Sequence, residues 1–155
     1  MLAFIDVFTR KVVGVHVGLR CQKGDLKNVL ALALEREGVK AEDGLVIRSD
    51  NGPQMTAKEF NKWLMSLEEK LSHEFIPIRT PNKNAYIESF FSILELEFLR
   101  VSYFRTFADA YEKTHKWIKF YNTERIHGSI GDITPAEAMN KYKRGEALNI
   151  ETISM

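Results

Sequence analysis

The sequence has a single cysteine and no long apolar run, and both absences restrict what the protein can be. Cys21 alone cannot form an internal disulfide, so a disulfide scaffold is excluded and a reducing compartment is expected. One cysteine and four scattered histidines also predict no zinc-ligand cluster. No apolar stretch is long enough to span a bilayer, and residues 1–6 lack the pattern of a signal peptide. We therefore expect a cytoplasmic protein that does not bind membranes.

A strong charge of one sign is also missing. The 22 basic and 21 acidic residues give a net charge of +1, so the whole chain does not indicate a polyanionic partner. Any binding of nucleic acid must therefore depend on local positive charge. An apolar content of 45% and a charged content of 28% are typical of a globular protein, and 155 residues predict one domain, 1–155.

Periodicity and turn residues predict alternating strands and helices after an initial hairpin. Gly18 lies in the second β-rich run and indicates a bulge or a close contact. Thr56 and Glu59 have the spacing of a capping box, and Thr134-Pro135 predicts another helix start. This order is typical of a mixed α/β sheet domain. The predicted elements are strands at 2–8, 11–19, 45–49 and 72–78, and helices at 24–37, from the cap at Thr56 to about 67, at 84–99, at 106–121 and from 135.

Two carboxylates are the candidates for chemistry. Asp50 ends an apolar strand, and Asn51-Gly52 turns the chain directly after it. Asp50 should therefore lie at the edge of a loop. Glu88 lies in the first turns of the helix at 84–99, on its polar side. Each has an ordinary explanation, as a turn residue and as a favourable charge near a helix N-terminus. Together, two carboxylates on rigid elements suit a divalent-metal site for phosphoryl transfer.

Five motifs follow one another along nearly the whole chain. They are residues 5–14, 49–54 (Ser-Asp-Asn-Gly-Pro-Gln), 84–91 (Asn-Ala-Tyr-Ile-Glu-Ser-Phe-Phe), 121–127 (Tyr-Asn with Arg125 and His127) and Thr134-Pro135. The ordered set resembles an insertion-sequence transposase of the retroviral-integrase-like DDE superfamily. The resemblance implies an α/β, RNase H-like mixed sheet flanked by helices, with residues from about 122 to 155 as a C-terminal extension of the catalytic core.

The resemblance also implies a chemistry and its cofactors. It implies DNA transposition or integration by metal-dependent phosphodiester cleavage and strand transfer, with two Asp and one Glu holding two Mg²⁺ or Mn²⁺ ions. Asp50 would be the second carboxylate of this triad and Glu88 the third. Glu95 stands where relatives often have a Lys that touches DNA, so a carboxylate there would repel phosphate.

The implied partners are DNA, as element ends and target, and further copies of the chain, at least as a dimer. The implied location is the nucleoid of a bacterial cytoplasm. Basic and amide groups near the carboxylates are candidates for binding phosphates. These candidates are Arg48, Asn51, Arg79, Lys83 and Asn84.

The first Asp of the family's triad does not match any position here. It lies on a strand before the hairpin, whereas this chain starts within the matching second strand. Asp6 is the alternative, but it matches a hairpin Asp outside the triad, and we expect it to cap the Thr9-Arg10 turn. We therefore expect a sheet without its first, central strand and a chain inactive alone. Dimerisation, strand exchange, rearranged pairing or a longer native protein would compensate.

Two other functions stay open. One is a non-catalytic transposase remnant that binds DNA or dimerises, which retained assembly without metal binding at Asp50 and Glu88 would favour. The other is an RNase H-like nuclease or resolvase, which would cut DNA without strand transfer. For Arg125 and His127 we expect a structural role.

Overall fold

The computed structural model describes residues 1–40, 43–50, 52, 55–67, 71–76 and 84–150. Strands and helices alternate after an initial hairpin, as the periodicity predicted. A π-helical turn, Glu95–Leu99, follows the third helix, and a short 3-10 turn, Gly128–Ile130, precedes the last one. In chain order the elements are β1 (Leu2–Ile5), β2 (Val12–His16), α1 (Lys23–Glu37), β3 (Leu45–Ser49), α2 (Lys58–Met65), β4 (Leu71–Phe75), α3 (Ala85–Leu94), α4 (Phe107–Thr123) and α5 (Pro135–Lys143).

The strands β1 and β2 form the predicted antiparallel hairpin, with an irregularity between Phe4 and Ile5. Its turn is closed by Asp6, whose Oδ1 accepts hydrogen bonds from the backbone N–H of Thr9 at 2.6 Å and from its hydroxyl at 2.7 Å. Arg10 follows in the left-handed region, at φ 63°. The expected local role of Asp6 is therefore confirmed.

The described strands form two separate two-stranded sheets. The strands β3 and β4 pair in parallel, from Leu45 opposite Leu71 to Ser49 opposite Phe75. Within the described ranges, β1 pairs with β2 and β3 pairs with β4, and no ladder joins the hairpin to β3. This separation agrees with the expected lack of a central strand between them.

The strand β1 links the two halves of the core because its side chains alternate between them. Ala3 and Ile5 pack against one apolar cluster, and Leu2 and Phe4 pack against the other. The buried residues of the first cluster are Val12, Phe90, Leu94, Phe98, Trp117, Ile118 and Tyr121, and those of the second are Leu26, Leu30, Ile47, Phe60, Leu64 and Leu71. Since both faces of β1 are covered, it has the environment of an interior strand.

The helix ends follow the sequence signals at two places and depart from them at one. Gly38 ends α1 in the left-handed conformation, and Thr134 and Glu137 form a capping box at the start of α5. The predicted cap at Thr56 is wrong, since Ala57 is the N-cap residue of α2. The backbone N–H and the hydroxyl of Thr56 both donate to the Gly52 carbonyl, so this residue belongs to the preceding turn.

The helix α3 buries the predicted apolar stripe and exposes the predicted polar side. Phe90 and Leu94 are buried, as is Phe98 in the following π-helical turn, where it stacks on Trp117. The polar residues Glu88, Ser92 and Glu95 are exposed. None of the helices in the described ranges is long and apolar enough to cross a membrane.

Candidate active site

Asp50 directly follows β3, at the carboxyl end of the parallel pair, and its side chain is exposed. Its Oδ1 accepts a hydrogen bond from the backbone N–H of Gly52 at 3.0 Å, which gives the Asp-turn that the sequence indicated. This bond holds one carboxylate oxygen in place beside the turn. The other oxygen, Oδ2, remains a hard ligand of the kind that Mg²⁺ or Mn²⁺ accepts.

A polar relay supports the backbone at Asp50, and the sequence did not reveal it. The buried Ser49 hydroxyl donates to the Asp50 carbonyl at 2.9 Å and lies 2.9 Å from His73 Nε2 on the neighbouring strand. Since the hydroxyl proton is used on the carbonyl, the Nε2–H of His73 donates to Ser49 Oγ. Burial lowers the pKa of His73, which favours this neutral form. The one sequence signal was the two-residue alternation of a strand, which places Ser49 on the same buried face of β3 as Ile47.

Glu88 lies in the first turns of α3, and its side chain is exposed. The neighbouring Phe90 is buried, so packing of the helix fixes the direction from which Glu88 projects. The helix N-terminus carries partial positive charge that stabilises a carboxylate there. Neither Glu88 nor Asp50 forms an ion pair within the described residues, so both carboxylates are available to a cation.

Two of the five candidate DNA ligands lie in the described part of the chain. Arg48 donates from Nε and Nη2 to Glu74 Oε2, at 3.0 Å in each case, so a phosphate would have to share this guanidinium. Asn84 is half-buried and is the N-cap residue of α3, but its side chain makes no capping hydrogen bond. The other three candidates, Asn51, Arg79 and Lys83, lie outside the described residues.

A small cavity lies beside a direct contact between the hairpin turn and the start of α3. The guanidinium of the buried Arg10 lies 4.0 Å from the centre of the Tyr86 ring, a cation–π contact between the turn and the first turn of α3. This contact stabilises the end of α3 that carries Glu88. The cavity has a volume of about 140 Å³ and is lined by Ile5, Arg10, Tyr86, Ser89, Phe90, Ile93, Tyr121, His127 and Ser129.

Asn122 joins the end of α4 to the hairpin, a role that the sequence did not show. Its side-chain Oδ1 accepts from the Val12 N–H at 2.9 Å, and its Nδ2 donates to the Val12 carbonyl at 2.9 Å. The side-chain amide therefore pairs with β2 as a neighbouring strand would. It also satisfies both backbone groups of a residue that is buried.

The residues Arg125 and His127 have the structural role expected of them. Arg125 binds both carboxylate oxygens of Glu97 in the π-helical turn, at 2.8 and 2.6 Å. His127 is buried and packs edge-on against the Tyr121 ring. Burial, with the charges of Arg125 and Arg10, lowers the pKa of His127 to about 4. This imidazole is therefore neutral at physiological pH.

Comparison with known protein families gives a match for the N-terminal half of the chain and another for the C-terminal half, and the two agree. Two family models, each described as integrase core domain, match residues 1–81 and residues 69–135. The chain belongs to the integrase core domain family. Between them, the two matches span the hairpin, the Asp50 strand and the Glu88 helix.

Curated relatives of this integrase core come from insertion elements. An uncharacterized protein of insertion element IS476 from Xanthomonas euvesicatoria is 31% identical over 96% of this chain and 41% of its own length. The transposase of insertion sequence element IS904 from Lactococcus lactis is 30% identical over 89% of this chain and 53% of its own length. The chain thus spans about half the length of these relatives.

Solved structures show the fold. A chain of the simian T-cell lymphotropic virus intasome, solved with PP2A regulatory subunit B56 gamma, superposes with a TM-score of 0.70 at 16% identity, covering 99% of this chain and 50% of that one. The HTLV-2 integrase catalytic core domain in complex with magnesium, in a dimeric form, gives 0.61 at 15% identity over 88% of this chain and 81% of that one. The fold is the RNase H-like α/β fold of integrase catalytic cores.

Proposed function

We propose that this integrase core takes part in DNA transposition, by metal-dependent phosphodiester cleavage and strand transfer, with Asp50 and Glu88 as metal ligands. The observation that carries the proposal is the exposure of both carboxylates at the ends of well-packed elements, in a chain of this family. Oxygen donors of this kind fit Mg²⁺ or Mn²⁺. The magnesium bound by the HTLV-2 integrase core supports the same choice.

The side chains would divide the work as follows. Asp50, through Oδ2, and Glu88 would hold the cations against the scissile phosphate. When bound, two such ions activate water or a 3′-hydroxyl and stabilise the leaving oxygen. The phosphates of element ends and target DNA would be positioned by Asn51, Arg79, Lys83 and Asn84. Arg48 would also contribute, with its guanidinium bound to Glu74 and a phosphate at the same time.

We also propose that the chain alone is inactive on DNA. Asp50 and Glu88 are two carboxylates of a triad, and Asp6 Oδ1 is occupied in the hairpin turn. A third carboxylate would then come from elsewhere, together with a strand to complete the sheet. The HTLV-2 integrase core occurs in dimeric and trimeric forms, which supports assembly of at least a dimer for this chain. In a bacterial cell such a protein would work at the nucleoid.

Nicking and joining of supercoiled plasmid DNA in Mn²⁺ tests the proposal without knowledge of the element's end sequences. The chain would be compared with a version that includes the in-frame codons preceding Met1. We expect the longer protein to nick and join DNA and the chain alone to do neither. Asp50→Asn and Glu88→Gln should each reduce the activity at least about 100-fold, since several kcal/mol of charge stabilisation are lost.

Glu112→Gln is the matched control, because Glu112 is an exposed carboxylate paired with Lys116 on α4, and it should leave the activity unchanged. Activity that survives Asp50→Asn or Glu88→Gln would overturn the assignment of these ligands. Nicking without joined products would favour a nuclease instead. Activity of the chain alone would contradict its proposed dependence on a third carboxylate, and inactivity of both proteins would favour a non-catalytic remnant.

A further inference from the structure

A second cluster of metal-ligating side chains lies away from Asp50 and Glu88, at the junction of β2 and α1. His16 ends β2, Cys21 lies in the connecting loop, and Asp25 is the third residue of α1. One ligand atom from each of the three lies within 4.8 Å of the other two. The sequence did not predict this proximity, because the three residues are scattered along the chain. We propose that these three residues bind one Zn²⁺ ion, or a similar borderline transition-metal cation.

The distances suit a small tetrahedral site. His16 Nε2 lies 3.4 Å from Asp25 Oδ2. Two ligands bound to zinc at 2.0–2.1 Å in tetrahedral geometry are about 3.4 Å apart, which matches this spacing. A thiolate at about 2.3 Å from the ion would lie about 3.6 Å from the other donors, so a small movement of Cys21 completes the set. The Arg20 carbonyl, 3.1 Å from His16 Nε2, or a water would supply the fourth position.

Two neighbouring features orient the ligands before any ion arrives. Asp25 Oδ2 accepts a hydrogen bond from the Gln22 N–H at 2.7 Å as part of the capping box of α1. A Cβ atom at Gly18 would lie 2.6 Å from His16 Nε2, so any side chain there would cover the coordinating nitrogen. Glycine leaves that nitrogen accessible, which explains the close contact that the sequence indicated at Gly18. Such support of metal ligands by surrounding groups strengthens binding.

The donor chemistry separates this site from the proposed magnesium site. Imidazole, thiolate and carboxylate together favour Zn²⁺ or Co²⁺, whereas Mg²⁺ prefers oxygen ligands. Binding would displace the thiol proton of Cys21, so the affinity should fall in acid. The bound ion would join the end of β2 to the start of α1, thereby stabilising the connection at residues 17–22. Without an ion, His16 and Asp25 form an ordinary ion pair or hydrogen bond.

Titration with Co²⁺ tests the site directly, because a thiolate bound to cobalt gives a charge-transfer absorption that carboxylates do not. We expect one equivalent of Co²⁺ to saturate this absorption, Zn²⁺ to abolish it and Mg²⁺ to leave it unchanged. Cys21→Ser should abolish the absorption, and His16→Gln should weaken binding at least about tenfold. His115→Gln, which changes a histidine on α4, should have no effect.

Asp50→Asn should also leave the cobalt absorption unchanged, which keeps this test separate from that of the proposed catalytic ligands. As a second measurement, Zn²⁺ should raise the Tm of the parent chain but not that of Cys21→Ser or His16→Gln. The absence of a thiolate band in the parent chain would overturn the proposal. A band of undiminished affinity in His16→Gln would do the same, because it would show binding by Cys21 without the cluster.

Discussion

Asp50 and Glu88 are exposed, whereas the histidines near them and in the C-terminal motif are held by buried contacts. His73 supports the Asp50 backbone through Ser49, and His127 packs against Tyr121. Burial lowers the pKa of both imidazoles, to about 4 for His127. At the scale of single residues, His73 and His127 therefore act as neutral structural groups, whereas Asp50 and Glu88 are the exposed carboxylates that we propose as metal ligands.

The depressed pKa of His127 predicts a loss of stability in mild acid. A histidine with an ordinary pKa of 6.5 when unfolded and about 4 when folded stabilises the fold fully above pH 6.5, and this contribution is lost as the pH falls towards 4. Between pH 7.5 and 5 the free energy of unfolding should fall by about 2 kcal/mol from this residue. Urea denaturation at several pH values measures the effect.

His127→Gln should be less stable at pH 7.5 but should lose that part of the pH dependence. His115→Gln, on the surface side of α4, should keep the slope of the parent chain. An unchanged slope in His127→Gln would show that its burial does not control the acid response.

The relay from His73 through Ser49 predicts that Ser49→Ala weakens metal binding at the neighbouring Asp50, although Ser49 itself is not a proposed ligand. The change removes the hydroxyl that donates to the Asp50 carbonyl and should lower the free energy of unfolding by about 1–2 kcal/mol. It should also weaken Mn²⁺ binding by about tenfold, as loss of a group that orients a ligand typically does. Ser72→Ala, at an exposed position of β4, is the control and should change neither quantity. Equal Mn²⁺ affinity in the parent chain and Ser49→Ala would rule out the relay.

At the scale of elements, the C-terminal segment is tied back onto the core by side chains. The amide of Asn122 pairs with both backbone groups of Val12, and the Arg125 guanidinium binds Glu97 after α3. The end of α4 and the residues directly after it therefore contact both the hairpin and the π-helical turn that follows α3.

Asn122→Ala should destabilise the fold by about 2–4 kcal/mol, because it leaves a buried N–H and a buried carbonyl of Val12 without partners. Chemical denaturation followed by circular dichroism measures the change. Thr123→Ala, at the next and exposed position, should cost much less. A loss below about 0.5 kcal/mol in Asn122→Ala would mean that water replaces the amide.

Local signals predicted much of this structure, whereas contacts between distant residues were not predictable. The turn at Asp6, the end of α1 at Gly38 and the cap at Thr134 each depend on a few adjacent residues. The cap at Thr56 was wrong because hydrogen bonds to Gly52 place that residue in a turn. The π-helical turn after α3 shares its apolar spacing with an ordinary helix, so periodicity did not reveal it.

The site shows the same division. Asp50 and Glu88 stay predictions that rest on their own turn and helix and on the family resemblance. The relay of His73 and Ser49 depends on the register of two strands 24 residues apart, and the cluster of His16, Cys21 and Asp25 depends on how a loop closes. Neither the register nor the loop closure follows from spacing in the sequence.

At the scale of the whole molecule, the described strands form two small sheets that share a core through β1 and are not joined by a ladder. Each pair of strands in the described ranges has edges that no ladder uses, and Val46 on β3 is 53% exposed. Unpaired strand edges beside apolar side chains favour pairing with another chain. We therefore propose that the chain self-associates through a strand edge.

We expect concentration-dependent self-association in sedimentation velocity experiments. Val46→Lys should weaken it, because a charge beside the β3 edge disfavours pairing. Leu96→Lys is a matched control, since Leu96 is also 53% exposed but lies in the π-helical turn. A monomer at all concentrations, or weakening by Leu96→Lys alone, would contradict association through β3.

Binding of Mn²⁺, followed by electron paramagnetic resonance, tests the central claim most directly, because it needs no DNA sequence and no third carboxylate. The account predicts saturable binding that Asp50→Asn and Glu88→Gln each weaken by at least about tenfold, one tenfold step corresponding to 1.4 kcal/mol. Glu112→Gln and Cys21→Ser should bind as the parent chain does. Equal binding by all five proteins would contradict the assignment of Asp50 and Glu88 as the metal ligands.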